Sequence, residues 1–174
     1  FNVSKIRPKG DHIGSVKNSA PGAVSVLKMI NEVGEHVRAG KNRRTALMGI
    51  LNITHPDLLE FLSVKLDQGE LNNFNISVAI TNRFLEAVEL GEDWYFTYNN
   101  KEYHSYDIAR SNAEEDRKEI ISVLGMDAED ALSRAENFNK VSWTDTFEMI
   151  GQRDIKAREL WDMIWKNSVE SGDP

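Results

Sequence analysis

Cysteine is missing from all 174 residues, which excludes disulfides, thiolate metal sites and thiol or thiyl chemistry within this stretch. Long apolar runs are missing too: none approaches the roughly 20 residues that cross a bilayer. No basic-then-apolar signal segment opens the chain, so no membrane partner and a cytoplasmic location are expected. Cations are in the minority, with 21 Lys and Arg against 28 Asp and Glu and a net charge of −7. That balance argues against broad binding to nucleic acid, which needs a cationic surface. A small phosphate ligand needs only a local cationic pocket and stays allowed. Four scattered histidines lack the spacing of a metal site, so no metal is assigned. P-loop, dinucleotide-binding and serine-elbow motifs are absent as well.

What is there reads as one domain's worth of soluble chain, 40% hydrophobic and 28% charged. The first residue is Phe1 and not Met, so a start inside a longer or processed chain is expected. Phe1 to Ser19 is loop-like, with Gly10 and Gly14 set among Lys5, Arg7, Lys9 and Lys17. Glycines mixed with cations suit an anion-binding loop, where backbone N–H groups and long donors converge; a solvated basic loop is the plainer reading. Pro21 to Ala39 is expected to be a helix with Val26, Ile30, Val33 and Val37 as its apolar stripe, widened by Leu27 and Met29, and Gly40 as its stop. Ala46 to Ile53 has the apolar run of a buried strand.

The stretch from His55 to Ser77 organises the rest. Thr54 is expected to cap a helix carrying Leu58, Leu59, Phe61, Leu62 and Val64, with Asp57 favouring that helix's positive end. Asp67 to Asn73 then breaks the period, and Phe74, Ile76 and Val78 alternate with Asn75, Ser77 and Ala79 as in a strand. Further on, Thr81 and Gly91 bound a helix, and Trp94 to Tyr106 reads as a hairpin around Asn99-Asn100. Residues 107–140 are acidic and helical in pattern without a functional reading, and Ile155 to Val169 forms an amphipathic helix with Trp161 and Trp165 as expected core. Composition and spacing alone yield a soluble α/β domain with one basic, Gly-containing loop.

The runs RRTALMGIL, HPDLLEFL and NNFNISVAIT, in this order and spacing, resemble the ribonucleotide reductase large chain, nearest its adenosylcobalamin-dependent branch. SKIRPKGD, APGAVSVLKMIN and the closing SVESGDP fall at matching places, so the resemblance is dense over 1–90 and returns near 156–174. It implies an internal segment of the family's ten-stranded α/β barrel. In that reading, 1–90 carries effector loops and dimer helices, 91–140 a hairpin and variable acidic part, and 141–174 a helix leading into the next barrel strand.

The resemblance also implies the following roles. Arg7, Lys9 and Lys17 would hold the phosphates of a dNTP or ATP effector on a first loop. Gln68, Gly69 and Glu70 would meet that effector from a second loop, on which Asn72, Asn73 and Asn75 face the substrate base. Val26, Ile30, Val33, Val37, Leu58 and Leu62 would form a two-fold homodimer contact. Gly14 replaces a second cation of the family, with Lys17 as a stand-in, and Thr45 and Leu47 replace its Gly and Asn. The parent protein would reduce ribonucleotides by thiyl-radical chemistry, with adenosylcobalamin and a thiol reductant, and its catalytic cysteines would lie outside this segment. The alternatives are a non-catalytic nucleotide-binding or dimerisation module, a split-gene fragment, or a reductase whose radical comes from a separate metal subunit.

Overall fold

A computed structural model describes residues 1–16, 20–37, 45–65, 70–105, 107–108 and 153–172. The expected helices of 109–140 lie outside these residues. Within them run α1 (Gly22–His36), β1 (Leu47–Asn52), α2 (Leu58–Ser63), β2 (Phe74–Ala79), α3 (Asn82–Leu90), β3 (Phe96–Tyr98), β4 (Lys101–Tyr103) and α4 (Ala157–Ser171). Helix and strand are mixed, as an α/β segment requires. β1 and β2 pair in parallel, Leu47 opposite Phe74 through Asn52 opposite Ala79, with α2 as the intervening helix. The N-terminus extends this sheet, since Val3 N–H donates to Ile50 C=O at 2.9 Å and Ile50 N–H to Phe1 C=O at 2.8 Å. Among the described residues the sheet does not close into a barrel.

α1 lies on the sheet because small residues let it approach. Leu27 packs so closely on Gly49 that a β-carbon there would meet a Leu27 methyl at 3.3 Å. Ala23, Val24, Leu27, Asn31 and Gly34 make the buried face of α1. The expected stripe lies on the other side of α1: Val33 and Val37 are 56% and 70% exposed, and Val26 and Ile30 only half-buried. Bulk is kept off the sheet side and left outside. Leu58 and Leu62 behave oppositely, at 0% and 1% exposure inside the chain's own core. They are not available to a dimer face in this fold.

The α2 start corrects another expectation. Thr54 does not cap the helix; the chain turns at 54–57, Leu58 N–H donates to His55 C=O at 3.0 Å, and the helix begins at Leu58. Pro56 disfavours helical backbone at His55, which pushes the start downstream. The expectations for α3 and the hairpin hold. Thr81 Oγ accepts from Phe84 N–H at 3.3 Å, and Gly91 ends α3 in the left-handed region. Asn99 and Asn100, at φ 48° and 62°, make the two-residue turn between antiparallel β3 and β4. α4 packs on α3 through Trp161, whose ring lies near that of Phe84, itself edge-on to Trp94, and Gly172 closes α4 at φ 78°. Trp165, expected in the core, is 66% exposed on α4's outer side.

Candidate functional site

Loop one, described over residues 6–16 and again from Ala20, is held by its own backbone hydrogen bonds and is not a loose basic tail. Gly10 N–H donates to Ala20 C=O at 2.9 Å, and Ala20 N–H to Asp11 C=O at 3.1 Å. At its tip Ile13 and Val16 exchange two backbone hydrogen bonds around Gly14-Ser15. Gly14 sits at φ 62°, so glycine has a conformational reason to occupy the place where the family resemblance led us to expect a cation. Arg7 is exposed, and one guanidinium N–H donates to His12 C=O at 2.7 Å. That bond uses one of the five donors of an arginine and sets the side chain along the loop. Burial works to raise the Asp11 carboxyl, but the His12 backbone N–H and the Lys101 and Arg7 cations outweigh it and hold its pKa below the usual range. Lys101 of β4 lies 3.7 Å from that carboxylate, bracing the loop against the hairpin. Lys9 Nζ is 3.9 Å from Glu60 of α2. Lys17 lies outside the described residues.

The turn before α2 holds both ends of this loop. Asp57 Oδ1 accepts from Lys9 N–H at 2.9 Å and Oδ2 from Ala23 N–H at 2.7 Å. Asp57 was expected to serve the start of its own helix; instead it accepts from the first turn of α1, whose own N-cap, Pro21, supplies no side-chain acceptor. His55 Nδ1 accepts from Asp57 N–H at 3.0 Å, which leaves Nε2 as the protonated nitrogen donating to Ile6 C=O at 2.9 Å. Both side chains are buried, and the Tyr98 ring meets the imidazole edge-on at 5.6 Å.

Loop two is described from Glu70 onward; Gln68 and Gly69 lie outside the described residues. Glu70 pairs with Lys28 of α1 at 3.0 Å. Leu71 is buried with φ at 47°, an uncommon backbone for a leucine, and Lys65 Nζ donates to its C=O at 3.3 Å and to Phe74 C=O at 2.8 Å. Asn72 and Asn75 are exposed. Asn73 is not placed to read a base edge, and that expectation is corrected. It is 4% exposed, its amide donates to Asn31 Oδ1 at 3.2 Å and Glu35 Oε1 at 2.7 Å, and its backbone N–H also donates to Asn31 Oδ1.

The two loops thus meet one element at different heights. Loop one joins the first turn of α1, and loop two joins its middle through Lys28, Asn31 and Glu35. Sequence reasoning missed His55, Asn31 and Glu35 altogether. The HPD turn was a visible signal for the first; polar residues within an otherwise apolar helix were the only signal for the others.

A second polar cluster ties the end of the hairpin to α4. Asp154 Oδ2 bonds His104 Nδ1 at 2.9 Å, Oδ1 accepts from Ser105 N–H at 3.0 Å, and Ser105 Oγ accepts from Ile155 N–H at 2.8 Å. The Asp154 hydrogen bond raises the His104 pKa against a smaller effect of burial. Beside it an open groove of about 630 Å³ is lined by Arg83, Glu92, Asp93, Tyr95, Glu102 and Lys156. Its charges pair across it, Arg83 with Glu92 and Lys156 with Asp93. Among the described residues no group of His, Asp and Glu could hold a metal, and no helix is long and apolar enough to cross a membrane.

The family model described as ribonucleotide reductase, barrel domain, matches residues 1–174. The chain belongs to the ribonucleotide reductase barrel-domain family. Among curated relatives, it is 42% identical over 90 residues to a vitamin B12-dependent ribonucleoside-diphosphate reductase of Thermoplasma acidophilum, covering 51% of this chain and 12% of that protein. A protein of the same description from Mycobacterium tuberculosis is 40% identical over 90 residues, again 51% of this chain and 13% of the relative. The ribonucleoside-diphosphate reductase large subunit of Dictyostelium discoideum is 26% identical over 177 residues, 99% of this chain and 18% of the relative. This reductase segment therefore spans less than a fifth of each of these relatives.

Proposed function

We propose that the protein containing this segment reduces ribonucleotides to deoxyribonucleotides by thiyl-radical chemistry, and that this segment supplies its effector loop and one dimer helix. The observation that carries the reading is the family match over the whole segment, joined to 40–42% identity with B12-dependent reductases over half of it. With no cysteine in 174 residues, the radical and the reducing thiols belong to other parts of the protein. Adenosylcobalamin, the cofactor suggested by those relatives, does not fit the groove found among the described residues. The groove beside α4 is lined by paired charges, unsuited to the apolar face of a corrin.

Within the segment, Arg7 and Lys9 bring cations to a loop whose backbone is already closed, the preorganisation that an effector's phosphates require. Glu70 and Asn72 stand on the second loop, joined to α1 by the Lys28 pair and the Asn73 amide. The exposed valines of α1, Val33 and Val37 with Val26 and Ile30 beside them, offer an apolar strip for a two-fold contact. Effector and substrate selection would then be linked by a coupling free energy of about 1–3 kcal/mol.

The test is reduction of cytidine and adenosine nucleotides by the full-length protein with a dithiol. Deoxynucleotide that forms only when adenosylcobalamin is added is expected. Turnover that instead needs an added metal-bearing subunit would favour the second reading, for which the 26% identity to the Dictyostelium large subunit along nearly all of this chain leaves room. No turnover under either condition would leave a binding module.

A further inference from the structure

Loop one begins and ends on the same buried carboxylate. The Lys9 N–H at its start and the Ala23 N–H just past its end both donate to Asp57, at 2.9 and 2.7 Å. His55 completes the closure from behind, holding Asp57 N–H through Nδ1 and Ile6 C=O through Nε2. Three backbone groups of the loop and its flanks, on Ile6, Lys9 and Ala23, therefore depend on one turn 34 to 49 residues away. The two strands of the loop are pressed together there. A β-carbon on Gly22 would stand 2.8 Å from Lys9 Cβ and 2.9 Å from Asp57 Oδ2.

Carboxylate-to-amide hydrogen bonds are short, directional and stronger than neutral ones, so this closure fixes the loop more firmly than loop-internal turns would. Arg7 lies between Ile6 and Lys9, two of the pinned residues. We propose that Asp57, oriented by His55, is a positioning residue for nucleotide-effector binding: it fixes the span of loop one and so the place of the Arg7 guanidinium. This rests on the reading of loop one as the effector loop. Asp57 touches no ligand in this account and acts through the loop backbone.

The experiment measures dATP and dTTP binding to the full-length protein, and the effector concentration for half-maximal stimulation of turnover, in Asp57→Asn, His55→Gln and Arg7→Ala variants. Asparagine keeps the shape of Asp57 but offers an NH2 to one of two N–H groups that need an acceptor. Glutamine at 55 can still donate to Ile6 C=O but loses the acceptor for Asp57 N–H. The expected result is a tenfold or greater rise in effector Kd and in half-maximal concentration for Asp57→Asn. His55→Gln should shift both in the same direction by less, and maximal stimulation at saturating effector should be retained in both. If Asp57→Asn does not fold, His55→Gln and Gly22→Ala decide by the same readouts. Unchanged effector binding in folded variants, with binding still lost in Arg7→Ala, overturns the positioning role alone. Maximal stimulation lost in step with binding overturns it as well, since that marks general disruption. Effector binding indifferent to Arg7→Ala overturns both this proposal and the effector-loop reading.

Discussion

Gly22→Ala tests the pinch between loop one and the α2 turn directly. The backbone there has φ at +83°, and holding a residue with a β-carbon in that region costs about 1–2 kcal/mol. The new methyl would lie 2.8 Å from Lys9 Cβ, 3.2 Å from Lys9 Cα and 2.9 Å from Asp57 Oδ2. Crowding of this kind costs about 1–3 kcal/mol, because backbone as well as side chains must shift. Alanine also narrows the unfolded ensemble, which offsets about 0.4–1 kcal/mol. The net expectation is a destabilisation of about 3 kcal/mol. Gly91→Ala is the matched control, with φ at +67° but nothing within 4 Å of its β-carbon, so only about 1 kcal/mol of strain applies. Thermal unfolding of the two variants in one buffer should separate their midpoints by roughly 4–8 °C, at about 2–4 °C per kcal/mol for a domain of this size. Equal midpoints, or a more stable Gly22→Ala, would refute the close approach of Lys9, Gly22 and Asp57.

Three further outcomes follow from the geometry. Asn73→Ala removes the amide that bonds Asn31 and Glu35 but keeps the backbone N–H that also donates to Asn31 Oδ1, so urea unfolding should show a loss of about 0.5–1.5 kcal/mol. Val33→Glu on the exposed side of α1 should leave the monomer's fold intact and, if α1 forms the two-fold contact, convert a dimer into a monomer by sedimentation. His104, bonded to Asp154, has its folded pKa raised, so its contribution to stability is complete below the unfolded value of about 6.5 and is lost as pH rises through the folded value. The wild-type urea midpoint should therefore fall relative to His104→Gln as pH climbs above that window, and parallel curves would remove His104 from the pH response.

Much of this fold was legible from residue patterns. Thr81 and Gly91 mark α3 because a side-chain acceptor and a left-handed glycine are local requirements. Asn99-Asn100 marks its hairpin for the same kind of reason. β2 was visible in the alternation from Phe74, and β1 in an unbroken apolar run. What failed was long-range. The valines of α1 repeat at helical spacing, yet the face that packs is the one with Ala23 and Gly34, since the sheet demands close approach and spacing says nothing about clearance. Asp57 carries a helix-start signature, but the helix it serves is α1, thirty-four residues back in sequence. Asn73 looked like a base reader because it is polar and in a loop; burial against Asn31 and Glu35 gave its amide different work. Glycines clustered with cations mark loop one as an anion-binding loop in kind, and it is the family resemblance that singles out Arg7, whereas the closure of its loop by His55 and Asp57 depends on tertiary contacts that no local window contains.

The measurement that bears most directly on the effector-loop reading is an equilibrium titration of the full-length protein with dATP, dTTP, dGTP and ATP, followed by thermal shift, for wild type and Arg7→Ala. A saturating rise in melting temperature with at least one nucleotide is predicted, since a ligand that binds only the folded form stabilises it by mass action. That rise should be lost in Arg7→Ala. A wild-type shift that survives the substitution unchanged would contradict the account, and so would the absence of any shift with all four nucleotides.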